Sequence, residues 1–312
     1  MPTRPAFLIA SAVTAILAGC AGGGGSGSTT PATPVTHGTP LAVDTSLASL
    51  SALTQVPVTS ETAISIAPGS VVGDVSTSTS LSLRTTAGAP QELVITVPAL
   101  GISTRFTASE FTSETWRTGS PYLTSSASHA AGNGTVEIQL FHPAAGSIEY
   151  HTLGAWGFAP NTSSTATLGM FVAGSLTVGS DIPTTGTATY SGLLEGNRIA
   201  SNVFDTVDAL ATAQANFASR TVTLTTTGTR STDLLTTNAV PVAAAGLDIT
   251  AGSLTYQPGV NALTGTLTTA NGMTGNATAT FFGPQAAELG GTFKLRDGGQ
   301  TTTFVGGFSL KR

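Results

Sequence analysis

The side chains of this 312-residue chain that could do acid–base, nucleophilic or metal chemistry are four histidines, one cysteine and sixteen carboxylates. The histidines are His37, His129, His142 and His151. No His-Glu-x-x-His pair or Cys-x-x-Cys pair brings two of these groups into ligand spacing, so a structural zinc site is not expected. Neither a Gly-x-Ser-x-Gly elbow nor a Ser-x-x-Lys pair marks a nucleophile. The Gly22–Gly27 run lacks a flanking strand or helix and is a linker rather than a phosphate loop. Glu110 and Glu114 stand among Thr and Ser as solvated groups, and an enzyme is not expected. Two groupings could still bind something. Tyr150 and His151, with Trp156 nearby, fall at an expected domain junction. Tyr and His can ligate haem iron, although aromatic packing between domains is the simpler explanation. Trp116, Tyr122 and His129 flank the stretch 118–134 and could anchor a protein partner.

The cysteine carries the most specific signal. Arg4 precedes an uncharged run from Pro5 to Ala18 that contains Phe7, Leu8, Ile9, Val13, Ile16 and Leu17. That run is shorter than the roughly 20 residues a helix needs to span a bilayer, and it has the form of a signal peptide. Leu17-Ala18-Gly19-Cys20 resembles the lipobox of bacterial lipoproteins, which implies cleavage before Cys20 and acylation of that residue. Several acyl chains, at about 0.8 kcal/mol per buried methylene, make a durable anchor. Cys20 is the sole cysteine, so it has no internal disulfide partner. The Gly/Ser run after it and the Thr/Pro stretch Thr29–Pro34 form a tether that is flexible at first and then stiffer. The expected organisation is signal peptide 1–19, lipidated cysteine and tether 20–44, a β-rich handle-like domain 45–148 and a β-barrel domain 149–312. Ala21, rather than Asp, follows the cysteine. By resemblance to sorted lipoproteins this favours the outer membrane, with the cell surface preferred over the periplasmic face.

Only 9% of residues are charged, and removal of Arg4 with the signal peptide leaves 10 basic against 16 acidic side chains. With no basic patch, nucleic acid is not an expected partner. Thr, Val, Ser and Gly favour strands and turns over helices. Leu47, Leu50 and Leu53 could make one helical turn, and 118–134 reads as irregular. Strands are expected at Leu81–Leu83, Glu92–Val97 and Val136–Phe141. From Tyr150 onward ten further strand-like runs, from Leu153–Phe158 to Thr301–Leu310, recur every 10–15 residues, as in a sandwich or closed barrel. In the last run Phe304, Phe308 and Leu310 oppose Thr303, Val305, Ser309 and Lys311. Such alternation suits a wall packed inside and hydroxyl-rich outside.

Thr187-Ala188-Thr189-Tyr190-Ser191-Gly192 and Phe281-Phe282-Gly283-Pro284-Gln285-Ala286-Ala287-Glu288-Leu289-Gly290-Gly291-Thr292-Phe293 resemble the opening strand and a characteristic hairpin of the transferrin-binding protein B β-barrel family. The resemblance covers Tyr150 to Arg312. It implies an all-β chain in which a C-terminal eight-stranded antiparallel barrel follows a smaller β-rich handle domain. It also implies an outer-membrane lipoprotein that binds a protein, often for iron capture, or a haem-like ligand. A structural envelope lipoprotein with no soluble ligand is the alternative. Glu288 is expected to cap backbone amides at its turn or, less simply, to meet a ligand. Gly290 and Gly291 are expected to give room for a bend or a close strand crossing where the barrel closes.

Overall fold

The computed structural model describes residues 48–57, 80–86, 89–97, 101–115, 122–131, 134–143, 148–161, 165–200, 203–236 and 239–312. Cys20, the tether, His37 and Trp116 lie outside them.

The first half supplies two sheets. β1 (Ala48–Pro57), β5 (Thr112–Thr115), β6 (Tyr122–Ala131), β7 (Gly134–Pro143), β8 (His151–Pro160) and β9 (Thr165–Gly174) form an antiparallel sheet of order β1-β9-β8-β7-β6-β5. β2 (Ser80–Thr86), β3 (Ala89–Val97) and β4 (Ile102–Thr107) form a three-stranded sheet. The second half is the barrel: β10 (Thr187–Ala200), β11 (Val203–Asn216), β12 (Thr221–Asp233), β14 (Ile249–Thr255), β15 (Leu263–Thr269), β16 (Thr274–Phe282), β17 (Glu288–Arg296) and β18 (Thr303–Lys311). The order β11-β10-β18-β17-β16-β15-β14-β12 closes through the β11–β12 pairing, giving eight antiparallel strands. A two-residue strand, β13 (Val242–Ala243), adds to β12 at Arg230 and Ser231.

Inside the barrel, β11 presents Ala209, Ala211, Ala213 and Ala215 where other strands present Tyr190, Phe281, Phe293, Phe304 and Phe308. Small side chains facing large ones let a narrow barrel fill without voids. On the far wall the expected alternation holds: Val222 and Leu224 are buried while Thr223 and Thr225 are exposed. On β18 it does not, because Thr303 to Leu310 are buried on both faces. The reason is the six-stranded sheet, which packs its Leu153, Leu168, Met170 and Val172 against Leu193, Ile199, Phe204 and Val305 on the barrel's outside. Its other face carries Val136, Ile138, Trp156, Phe158 and Phe171 against Leu93, Ile95, Ile102 and Phe106 of the three-stranded sheet. The six-stranded sheet is therefore a middle layer.

That layering corrects three expectations. Residues 151–174, assigned by sequence to the barrel domain, are β8 and β9 of the six-stranded sheet, and the barrel starts at Thr187. Their unbroken apolar runs mark strands buried on both faces, and regular turn spacing cannot show which sheet a strand joins. Residues 48–57 are a strand rather than a helical turn, paired with β9 from Ala48↔Gly174 to Pro57↔Thr165; pairing overrides a weak leucine spacing that has no cap. The stretch 118–134 contains β6, whose small residues face large ones on β7, as Ala127 faces Ile138.

Candidate functional site: the junction of sheet and barrel

The β16–β17 hairpin gives the barrel its specialised end. Gly283 turns at φ +72°, where a Cβ would also strike the Tyr150 ring at 2.5 Å, so glycine is required on two counts. Gln285 and Ala286 follow with φ of 52° and 57°, a region costly for residues with a Cβ. Ala286 is held there by its surroundings: it is fully buried, and the Tyr190 hydroxyl donates to its carbonyl at 2.7 Å. Asn261 braces the far side, donating from Nδ2 to the Thr177 and Phe281 carbonyls and accepting from the Phe281 amide, each at 2.8 Å. The Thr177 hydroxyl donates to the Gly283 carbonyl at 2.6 Å.

Glu288 opens β17 with no solvent exposure. Its Oε1 accepts the Glu149 amide at 2.5 Å, and its Oε2 accepts the Tyr150 amide at 2.9 Å and His151 Nδ1 at 2.8 Å. The ring's Nε2 lies 2.9 Å from the Ser309 hydroxyl, so both ring nitrogens are engaged. His151 is fully buried and stacks on Phe282, with centroids 4.6 Å apart and planes 15° from parallel. Lys311 pairs with Glu149 at 2.9 Å on the rim. Glu288 thus caps amides, though of the chain running into β8 rather than of its own turn.

The order Ser309–His151–Glu288 is that of a nucleophilic triad. Its burial makes it a joint instead, because Ser309 is 2% exposed and a substrate cannot reach its hydroxyl. The same geometry bears on the haem candidates Tyr150 and His151. Both ring nitrogens of His151 are engaged, and burial, followed by the charges of Glu149 and Glu288, pushes the Tyr150 phenol up and away from the phenolate that iron would need. The glycine pair also acts differently from expectation. A Cβ on Gly290 would lie 2.7 Å from Val172 and 3.0 Å from His151, and one on Gly291 would strike Phe308 inside the barrel. Gly290 is there to let the sheet approach the barrel wall.

Of the other singled-out residues, His142 lies on β7 and Tyr122 on β6. His129 pairs with Glu110 at 2.9 Å on the surface, over the edge of Phe106. Glu110 is more than a solvated group. Its Oε2 accepts the Thr107 amide at 2.8 Å and hydroxyl at 2.7 Å, and these contacts, the hydroxyl first and then His129, hold its carboxyl down at about 2. Thr107-Ala108-Ser109-Glu110 is a capping-box spacing that a sequence can show. No comparable local signal joins Ser309 to His151, which are 158 positions apart.

The family described as the C-lobe and N-lobe β-barrels of Tf-binding protein B matches residues 182–312. No curated protein matches the sequence. Among solved structures, a double mutant of transferrin binding protein B from Haemophilus parasuis Hp5 is 14% identical with a TM-score of 0.47, over 84% of this chain and 44% of that one. The isotype 1 protein from serogroup B Neisseria meningitidis is 14% identical with a TM-score of 0.40, over 84% and 42%. This chain therefore spans less than half the length of either. Residues 182–312, the closed eight-stranded barrel, are thus similar to the β-barrels of transferrin-binding protein B.

Proposed function

We propose that the chain is a lipid-anchored binding protein of the outer membrane, acylated at Cys20, that presents its handle sheets and barrel to a protein partner. The observation that carries this reading is a barrel of the transferrin-binding type downstream of a lipobox and tether. An iron-carrying protein is the partner class that the family's name suggests. The joint at Glu288 supports the reading mechanically. It locks the sheet to the barrel, so loops at the barrel ends and sheet edges are held on one rigid scaffold, where binding residues concentrate. A haem-like ligand is the weaker candidate, since Tyr150 and His151 are committed to that joint.

Two measurements test the proposal. Protease added to intact cells should cleave the protein; protection in whole cells with cleavage after lysis would place it on the periplasmic face and favour a structural envelope role. The mature protein should then retain a specific protein from iron-carrier-rich fluids. Haemin titration should leave the Soret band unshifted, and a shift would restore the haem reading.

A further inference from the structure

Between the six-stranded sheet and the barrel wall the packing leaves a small cleft away from the Glu288 joint. Gln139 and Met170 line it from the sheet, and Glu195, Asn197 and Thr206 line it from the barrel. Its free volume of about 10 Å³ admits one water-sized occupant. The lining is built rather than incidental. Asn197 and Thr206 are cross-strand partners, and Glu195, two residues before Asn197, shares their outward face opposite Asp208. Asn197 is 5% exposed, and its Oδ1 is enclosed with no hydrogen-bond partner among the described residues. Buried polar atoms are seldom left so.

Two carboxylates stand on the barrel side of the cleft. Glu195 and Asp208 are 7% and 5% exposed. Arg230 binds Asp208 through Nε at 3.0 Å and Nη2 at 2.7 Å, and its guanidinium also feels Glu195. From the sheet, Glu137 lies two residues from Gln139 on the same face of β7. Glu195 and Asp208 thus both lie close to the Arg230 guanidinium beside the cleft.

We propose that this cleft is a site for a single hard cation of the calcium type, held between sheet and barrel by Asn197 Oδ1, the Glu195 carboxylate, the Thr206 hydroxyl and the Gln139 amide oxygen. An all-oxygen set selects hard cations over zinc or copper. No group of three His, Cys, Asp or Glu side chains converges among the described residues. The site is therefore weak, in the millimolar class of extracellular calcium modules.

The test is thermal unfolding of the mature full-length protein, stripped of metal, in calcium chloride against magnesium chloride and sodium chloride at equal ionic strength. Calcium in the millimolar range should raise Tm by several degrees over both controls. Asn197→Ala and Thr206→Val should each abolish that rise while leaving the circular dichroism spectrum unchanged. Glu195→Gln should do the same, and the first two variants keep the test valid if it does not fold. The proposal is overturned by equal Tm in the three salts, which leaves a bridging water as occupant, or by a calcium effect that survives in Asn197→Ala and Thr206→Val.

Discussion

Glu288 satisfies two part-buried backbone amides and the fully buried His151 ring. Glu288→Ala would strand all three. Orphaned buried groups cost about 1–3 kcal/mol each at most, with partial relaxation, so a net loss of about 3 kcal/mol is expected. In calorimetry this is a fall in Tm of roughly 6–12 °C for a protein of this size. A fall below 1 °C would mean the joint contributes nothing. Glu137 gives a pH signature. Burial raises its carboxyl from 4.5 to about 7, so between these values the folded protein holds a proton that the unfolded chain has released. Stability should therefore decline as pH rises from about 4.5 to about 7, by up to about 3 kcal/mol, and be level above. Glu137→Gln should remove that decline, as urea unfolding on either side of the window would show. Of these residues the sequence disclosed little. Glu288 was legible as an amide cap because it follows a Gly-Pro turn, but its actual amides and its histidine lie 137–139 positions away. Chain separation of that size leaves no periodic trace.

At the scale of elements, the barrel was read from alternation and turn spacing, and its strands fall where Thr and Val alternate with apolar residues. The failures share one cause. β8, β9 and β18 are buried on both faces, so their side-chain pattern carries no information about which layer lies on which side. Glycine records this layering where hydropathy cannot. Gly290 and Gly307 face the sheet, and a Cβ at Gly307 would lie 2.5 Å from Leu153. Gly290→Ala should therefore cost about 1–3 kcal/mol through overpacking against Val172 and His151. Gly298→Ala, with nothing within 4 Å of its Cβ, should stay within about 0.5 kcal/mol of wild type. Equal effects of the two substitutions, measured by chemical denaturation, would show that the sheet does not press on the barrel there.

For the molecule as a whole, the proposed anchor at Cys20 is separated in sequence from the described fold. The described core begins at Ala48, and the Gly/Ser/Thr/Pro tether that follows Cys20 contributes no large apolar side chain up to Pro34. In the proposed function, membrane attachment rests on the thiol of Cys20, the sole cysteine of the sequence. No helix among the described residues is long and apolar enough to cross a membrane. Cys20→Ser is expected to abolish the acyl mass shift and to leave the precursor uncleaved, moving the protein from the detergent to the aqueous phase in detergent partitioning. Each buried methylene contributes about 0.8 kcal/mol, so loss of several chains is not a graded effect but a change of compartment. Circular dichroism and Tm of the folded domains should be unchanged, because Cys20 lies outside the residues that form the Glu288 joint and the barrel core. A wild-type protein without acyl mass, made in a host with both membranes, would remove the anchor from the proposed function and leave the barrel assignment standing.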